Sequence, residues 1–213
     1  MRLYDYSASA NCYKPRLLFA LLGREYERVE IDIFAGDTLT DEYRALNPAR
    51  EVPVLELDDG TALPQSNAIL WFLAEGTTFL PDSPLERAHV IEWLIFEQER
   101  VMSGIGSARF RILTGRGDPG LVAARVALGK GALEILETRL AGAEYLVRST
   151  PTIADVANYA YTHVASDAGF DLGEYPAVGT WLRRVEALPG FINDLEPYPD
   201  NARPGRSRSI YDE

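Results

Sequence analysis

The hydrophobic period of this chain changes once, and the change falls at residues 77–84. Up to Gly76, short apolar runs alternate with turn signals; beyond Pro84, apolar residues recur only at helical spacing. A chain patterned in this way is expected to fold as an α/β unit followed by an all-helical one. The run TTFLPDSP, Thr77 to Pro84, carries two prolines and no period, which makes it the expected linker between a domain at 1–76 and a helical domain at 85–213.

Within the first part, Met1 to Tyr6 reads as a strand and Pro15 to Leu22 as a buried helix, with Pro15 in its first turn and Gly23 as its stop. Tyr26 to Ile33 alternates and reads as a second strand, placed for a parallel β-α-β crossover. VPVLEL and TALPQS flank Asp59-Gly60, a strong hairpin signal. A helix SNAILWFLAEG follows, with Ser66 or Asn67 near its N-cap and Gly76 at its end. The expected order is therefore β-α-β-β-β-α. In the second part, helical spacing marks 85–102, 120–140, 152–168 and 177–187. An Arg- and Pro-containing tail follows Pro197.

The balance of 21 Lys+Arg against 32 Asp+Glu gives a formal net charge of -11. That opposes nucleic acid and anionic membrane as partners, and only the tail, with Arg203, Arg206 and Arg208, is locally basic. Cys12 is the only cysteine, so there is neither an intrachain disulfide nor a multi-cysteine metal site, and a cytoplasmic home is expected. His89 and His163 stand apart from other ligand types in the sequence, so no metal is expected. No apolar run approaches the ~20 residues of a membrane-crossing helix, and no signal-peptide pattern precedes the first strand.

Four segments carry the chemistry: YSASANCYKPRLLFALLG, NPAREVPVLEL, LPQSNAILWFLAE and TIADVANYAY. In this order they resemble the glutathione transferase family: its strand-loop-helix entry, its cis-proline segment, its glutathione-carboxylate motif and its helix-capping segment. The resemblance spans most of the chain and implies a thioredoxin-like first domain with a mixed four-stranded sheet, followed by a C-terminal helical bundle.

The loop before the first helix suits thiol chemistry, because a helix N-terminus offers unpaired N–H groups and partial positive charge that favour a thiolate. Ser9 and Cys12 fall on the two positions that in thioredoxin-like folds carry a Cys-x-x-Cys pair, so the attacking cysteine is missing. Glutathione brings its own thiol, and the resemblance makes Ser9 the hydroxyl that stabilises it, with Asn11 as the second candidate. Ser9 is equally suited to be a helix cap. Ala10 stands where similar bacterial loops have proline, which leaves the ranking of Ser9 over Asn11 open. Tyr4 and Tyr6 are rivals that fit packing better. Cys12 is expected to pack as a small apolar group.

Val52-Pro53 resembles the cis-proline pair whose backbone edge holds the cysteinyl part of glutathione. Gln65 and Ser66, at a helix start, suit the γ-glutamyl carboxylate, although Ser66 read alone is an N-cap. Arg50 is placed to reach the glycine carboxylate, and Glu51 beside it would repel that group. Thr152 to Asp155 is a capping box with aspartate in place of glutamate, a folding element. Met102 and Arg109 are the candidates for the second substrate, and a solvated charged face is the other reading of Arg109.

The resemblance implies glutathione as co-substrate, an electrophilic second substrate, detoxification chemistry and a homodimer pairing the first domain of one subunit with the second domain of the other. Two other readings stay open. One is glutathione-dependent disulfide reduction, from the similarity of Ser9-x-Asn11 to bacterial proteins with that activity; the other is a non-catalytic interaction module.

Overall fold

A computed structural model describes residues 1–212. It contains two compact units, Met1–Leu73 together with the tail from Ile192, and Ala74–Phe191. The first unit is built on a mixed four-stranded sheet in the order β2-β1-β3-β4. Strands β1 (Arg2–Asp5) and β2 (Glu27–Glu30) pair in parallel, with Leu3 opposite Arg28. Strands β3 (Val54–Glu56) and β4 (Ala62–Pro64) add the expected antiparallel hairpin, with Leu55 opposite both Leu3 and Leu63.

The crossover helix α1 (Ala10–Leu21) begins five residues earlier than the proline suggested. Ser9 has extended backbone and its Oγ accepts from the Cys12 N–H at 3.3 Å, so it caps the helix. Pro15 therefore lies in the helix interior, a placement that ordinarily costs about 3 kcal/mol. Complete burial of Cys12, Tyr13, Leu17, Leu18 and Phe19 offsets that cost. A further helix, α2 (Asp41–Leu46), was not expected from the hydrophobic period. It is short, and its signal is Thr40 accepting from Tyr43 N–H with Asp41 and Glu42 in the first turn. Helix α3 (Ser66–Ala74) completes the unit.

The tail was expected within the helical domain; instead it belongs to the first unit. Tyr198 and Tyr211 pack against Phe34, and several further anchors are polar. The Tyr13 hydroxyl donates to the Ile192 carbonyl at 2.6 Å, Glu196 N–H to the Ser7 carbonyl, and Arg208 N–H to the Phe34 carbonyl at 2.8 Å. Arg16, buried to 1% exposure, holds Asp194 at 3.1 Å and the fully buried Asp5 at 2.6 Å, and Arg28 also pairs with Asp5. One guanidinium thus ties the end of β1, helix α1 and the tail together.

The second unit is helical, as its period predicted. Helix α4 (Pro84–Phe96) runs into a π-helical stretch, Glu97–Gly106, and then α5 (Ser107–Thr114), ended by Gly115 in left-handed conformation. Helix α6 (Pro119–Leu140) crosses the π stretch where Gly104 meets Gly129: a Cβ on Gly104 would lie 2.5 Å from the Gly129 nitrogen, and one on Gly129 would lie 2.6 Å from the Phe170 ring. Helix α7 (Ile153–Thr162) is buried along its whole length, and α8 (Pro176–Glu186) packs beside it. The expected helix over 152–168 divides at His163, with a separate 3-10 turn at Ala165–Ala168. His163 stacks on Tyr159 at 4.6 Å, and burial pulls its pKa down to about 4, so it is neutral at physiological pH. Among the described residues no helix is long and apolar enough to cross a membrane, and no cluster of ligating side chains could hold a metal ion.

Candidate functional site

The site is assembled from three segments of the first unit: the start of α1, the turn before β3, and the start of α3. At the first, the Ser9 hydroxyl accepts a hydrogen bond from the helix. A hydroxyl has one O–H and two lone pairs, so capping leaves its proton to donate elsewhere. The cap and the thiol partner are therefore compatible roles for one side chain. Asn11, also partly accessible, lies in the first turn, where its Oδ1 accepts from Lys14 Nζ at 3.0 Å and from the Ser66 hydroxyl at 3.4 Å.

Of the other thiol-site candidates, Cys12 and Tyr4 have partners elsewhere, and Tyr6 is enclosed with no hydrogen-bond partner for its hydroxyl among the described residues. Cys12 is fully buried, its sulfur accepts from the Tyr6 N–H at 3.4 Å, and burial together with the Asp5 charge pushes its pKa well above the ordinary thiol range. It packs as a small apolar group. The Tyr4 hydroxyl donates to Glu56 Oε2 at 2.8 Å, and Tyr6 is buried edge-on to Phe34 with its pKa pushed up by burial.

In the second segment the Val52-Pro53 bond is cis. The β1–β3 ladder registers Tyr4 on Val54, which leaves Val52 two residues beyond the last paired position. Helix α2, absent from the sequence-based order, holds this segment: the Tyr43 hydroxyl and the Asn47 amide both donate to the Glu51 carbonyl at 2.9 Å. Asn47 Oδ1 also accepts from Ala49 N–H, closing a tight turn that ends with Arg50 in left-handed conformation at φ 59.

At the third segment, Gln65 precedes α3 with φ 74, a conformation rare for a residue with a side chain. Its carbonyl accepts from Ile69 N–H at 3.0 Å, so Gln65 occupies the cap position and Ser66 begins the helix. Strain of this kind costs of the order of 1–3 kcal/mol and is concentrated where backbone geometry serves a ligand. The Gln65 amide lies 3.4 Å from Glu51 Oε2, joining the second and third segments. Ser66 is buried to 4% exposure.

Sequence reasoning passed over Lys14. It is completely buried, and its Nζ reaches Asn11 Oδ1, Ser66 Oγ at 3.3 Å and Asn67 Oδ1 at 3.4 Å. A lysine in a helix reads as a solvated charge, but here its neighbours Cys12, Tyr13 and Pro15 are all buried, and that apolar flank was the available signal.

The second-substrate candidates lie in the other unit. Met102 is partly buried in the π stretch. Arg109 is only 3% exposed, and its Nε donates to Asp167 at 2.9 Å, an internal tie between α5 and the 165–168 turn in place of the solvated face considered for it.

Comparison with known proteins gives the family. The family model for the glutathione S-transferase N-terminal domain matches residues 8–75, and that for the C-terminal domain matches residues 122–189. The chain belongs to the glutathione S-transferase family. Among curated relatives it is 30% identical to a maleylacetoacetate isomerase of Rhizobium meliloti, over 95% of this chain and 97% of that one. Among solved glutathione S-transferases, one from Xanthobacter autotrophicus is 44% identical with a TM-score of 0.87, covering 92% of this chain and 97% of its own. Another, from Pseudomonas fluorescens, is 42% identical with a TM-score of 0.88, covering 92% and 98%. In this glutathione S-transferase, α1 and α3 converge on Lys14 within the first unit.

Proposed function

We propose that this protein is a glutathione transferase that binds glutathione along the three segments of its first unit and presents the thiol as a thiolate to an electrophile. The observation that carries this reading is the meeting of Asn11, Lys14 and Ser66 beside the strained Gln65, in a chain whose family binds glutathione. In this reading the γ-glutamyl carboxylate is held by Gln65 and Ser66 at the start of α3. The backbone of Val52 pairs with the cysteinyl unit as a one-residue strand addition. Arg50 reaches the glycine carboxylate, and Ser9 and Asn11 donate to the sulfur. A lone, buried cysteine also suits a reducing, cytoplasmic setting.

A second reading is favoured by the Rhizobium meliloti relative, whose name is that of an isomerase. The same thiolate that adds to an electrophilic carbon would serve isomerisation if it added to a conjugated double bond and left again after rotation. A single experiment tests both. The unmodified protein and the Ser9→Ala and Cys12→Ala variants are assayed with glutathione against an aryl halide, a peroxide, a mixed disulfide and maleylacetoacetate. Ser9→Ala is expected to cut turnover by about 10²-fold with little change in glutathione affinity, and Cys12→Ala to do much less. Loss of activity in Cys12→Ala alone would replace the hydroxyl mechanism with a cysteine-dependent one.

We further propose a homodimer in which the second unit of one subunit presents an apolar face to the first unit of its partner, the pairing that the family resemblance implies. Ile91 and Ile95 on α4 and Ile135 on α6 are 45%, 52% and 43% exposed. They accompany a cavity of about 460 Å³ lined by Trp93, Phe96 and Ile135, with Glu92, Glu134 and Arg139 among its polar groups. A second copy of this chain suits such an apolar face with charges at its margin. Light scattering at micromolar concentration is expected to give twice the chain mass, and a monomer there removes the proposal.

A further inference from the structure

We propose that Lys14 is the positioning residue of the thiol site: its ammonium pins Oδ1 of Asn11, so that the Asn11 amide N–H groups face the sulfur of bound glutathione. The inference rests on the glutathione reading above and adds a residue to it. Lys14 sits one turn along α1 from Asn11, the spacing at which helical side chains meet. It is fully enclosed, which for a lysine demands strong compensation from the atoms around the charge. Three such atoms are Asn11 Oδ1 at 3.0 Å, Ser66 Oγ at 3.3 Å and Asn67 Oδ1 at 3.4 Å.

An ammonium has three donors and no acceptor, so each partner must turn an oxygen toward it. For Asn11 this decides which end of the amide is left for a ligand. With Oδ1 held by Lys14, Nδ2 and its two N–H groups lie on the opposite branch of a side chain whose residue is partly accessible. For Ser66 the same logic leaves the hydroxyl proton free to be donated; it is given to Asn11 Oδ1 at 3.4 Å, and a carboxylate at the start of α3 would be a stronger acceptor. Lys14 therefore sets the donor direction of the sulfur segment and the carboxylate segment together, although they are far apart in sequence.

Other ionisable groups near these segments are Cys12 and Tyr6, both pushed upward by burial, the Asp5–Arg16 pair, and Glu51 beside Gln65. All of them persist in a Lys14 variant, which loses the Lys14 charge alone, so the comparison with Asn11→Ala and the double variant is what separates the orientation of Asn11 from that lost charge. The experiment uses the full-length protein and reduced glutathione, with affinity read by calorimetry and ionisation by the ultraviolet absorbance of the bound thiolate as a function of pH. Lys14→Met and Asn11→Ala are each expected to raise the titration midpoint by about one pH unit, and the double variant to go no further than either.

A folded Lys14→Met protein that titrates like the unmodified one overturns the inference, as does a double variant whose shifts add. Should Lys14→Met fail to fold, Asn11→Asp keeps oxygens toward Lys14 but lacks the amide donors. It is expected to fold with the midpoint raised, and an unmoved midpoint overturns the inference equally. If the unmodified protein fails to bind glutathione, the functional reading itself falls, which separates that failure from one confined to Lys14.

Discussion

Replacing Gln65 and Ser66 together by alanine is expected to weaken glutathione binding by about 2 kcal/mol or more, roughly thirty-fold in Kd, without unfolding the protein. The size follows from the kind of bond lost, a charge-assisted hydrogen bond to a carboxylate at a helix start. Gln65 is exposed, whereas the Ser66 hydroxyl is one of the three oxygens around the buried Lys14 ammonium, so the variant should stay folded but melt somewhat lower. Gln65→Gly adds a control of opposite sign. It relieves the left-handed strain at φ 74, so thermal stability should rise slightly while affinity falls. Calorimetry with matched melting curves reads both quantities. Unchanged affinity in the folded double variant would show that the carboxylate is held elsewhere.

Much of this architecture could be read before any coordinates. The strands, their parallel first pair and the Asp59-Gly60 hairpin follow from period and turn chemistry, which act over a few residues, and their union in one mixed four-stranded sheet is what the family resemblance implied. The capping box at Thr152 and Asp155 is legible for the same reason. Helix α2 escaped because six residues are too few to show a period, although Thr40 and the acids after it announce a start. Pro15 misled in the opposite direction: a local rule placed it in the first turn, whereas burial of the α1 face carries the helix upstream to Ala10.

The candidate site could be proposed by segment and less so by atom. Ser9, Asn11, Val52, Pro53, Gln65 and Ser66 could be proposed because each lies in a recognisable segment. Lys14 could not, because what makes it important is the approach of α3 to α1, a contact over 52 residues that no local pattern records. Arg50 and Gln65 share a second illegible property: positive φ in residues that are not glycine, which only the folded backbone displays. The tail likewise shows no period that would place it, yet Arg16 and Asp194 bind it to the first unit through a buried guanidinium.

The largest loss of stability is expected from Asp155→Ala in the second unit. Asp155 is 1% exposed and its two oxygens serve four donors. Oδ1 accepts from Leu146 N–H at 2.9 Å and Trp181 Nε1–H at 3.0 Å, while Oδ2 accepts from Thr152 N–H at 2.9 Å and the Thr152 hydroxyl at 3.3 Å. Burial raises its pKa and these bonds oppose that rise, so the fold invests one enclosed carboxyl in joining the loop at Leu146, the start of α7 and helix α8. Alanine removes all four acceptor contacts and leaves two backbone N–H groups and an indole N–H enclosed without them. Each such group costs about 1–3 kcal/mol, and the partial relaxation of the loop limits the total to about 3–5 kcal/mol. For a chain of this length that corresponds to a fall in Tm of about 10–15 °C. Asp155→Asn should lose less, because one oxygen remains, but its amide N–H groups then face donors instead of acceptors, so it should not match the unmodified protein. Thermal melts of both variants read the order directly. An Asp155→Ala protein that melts within about 2 °C of the unmodified one would show that the Leu146 loop and the α7 cap find other partners at little expense.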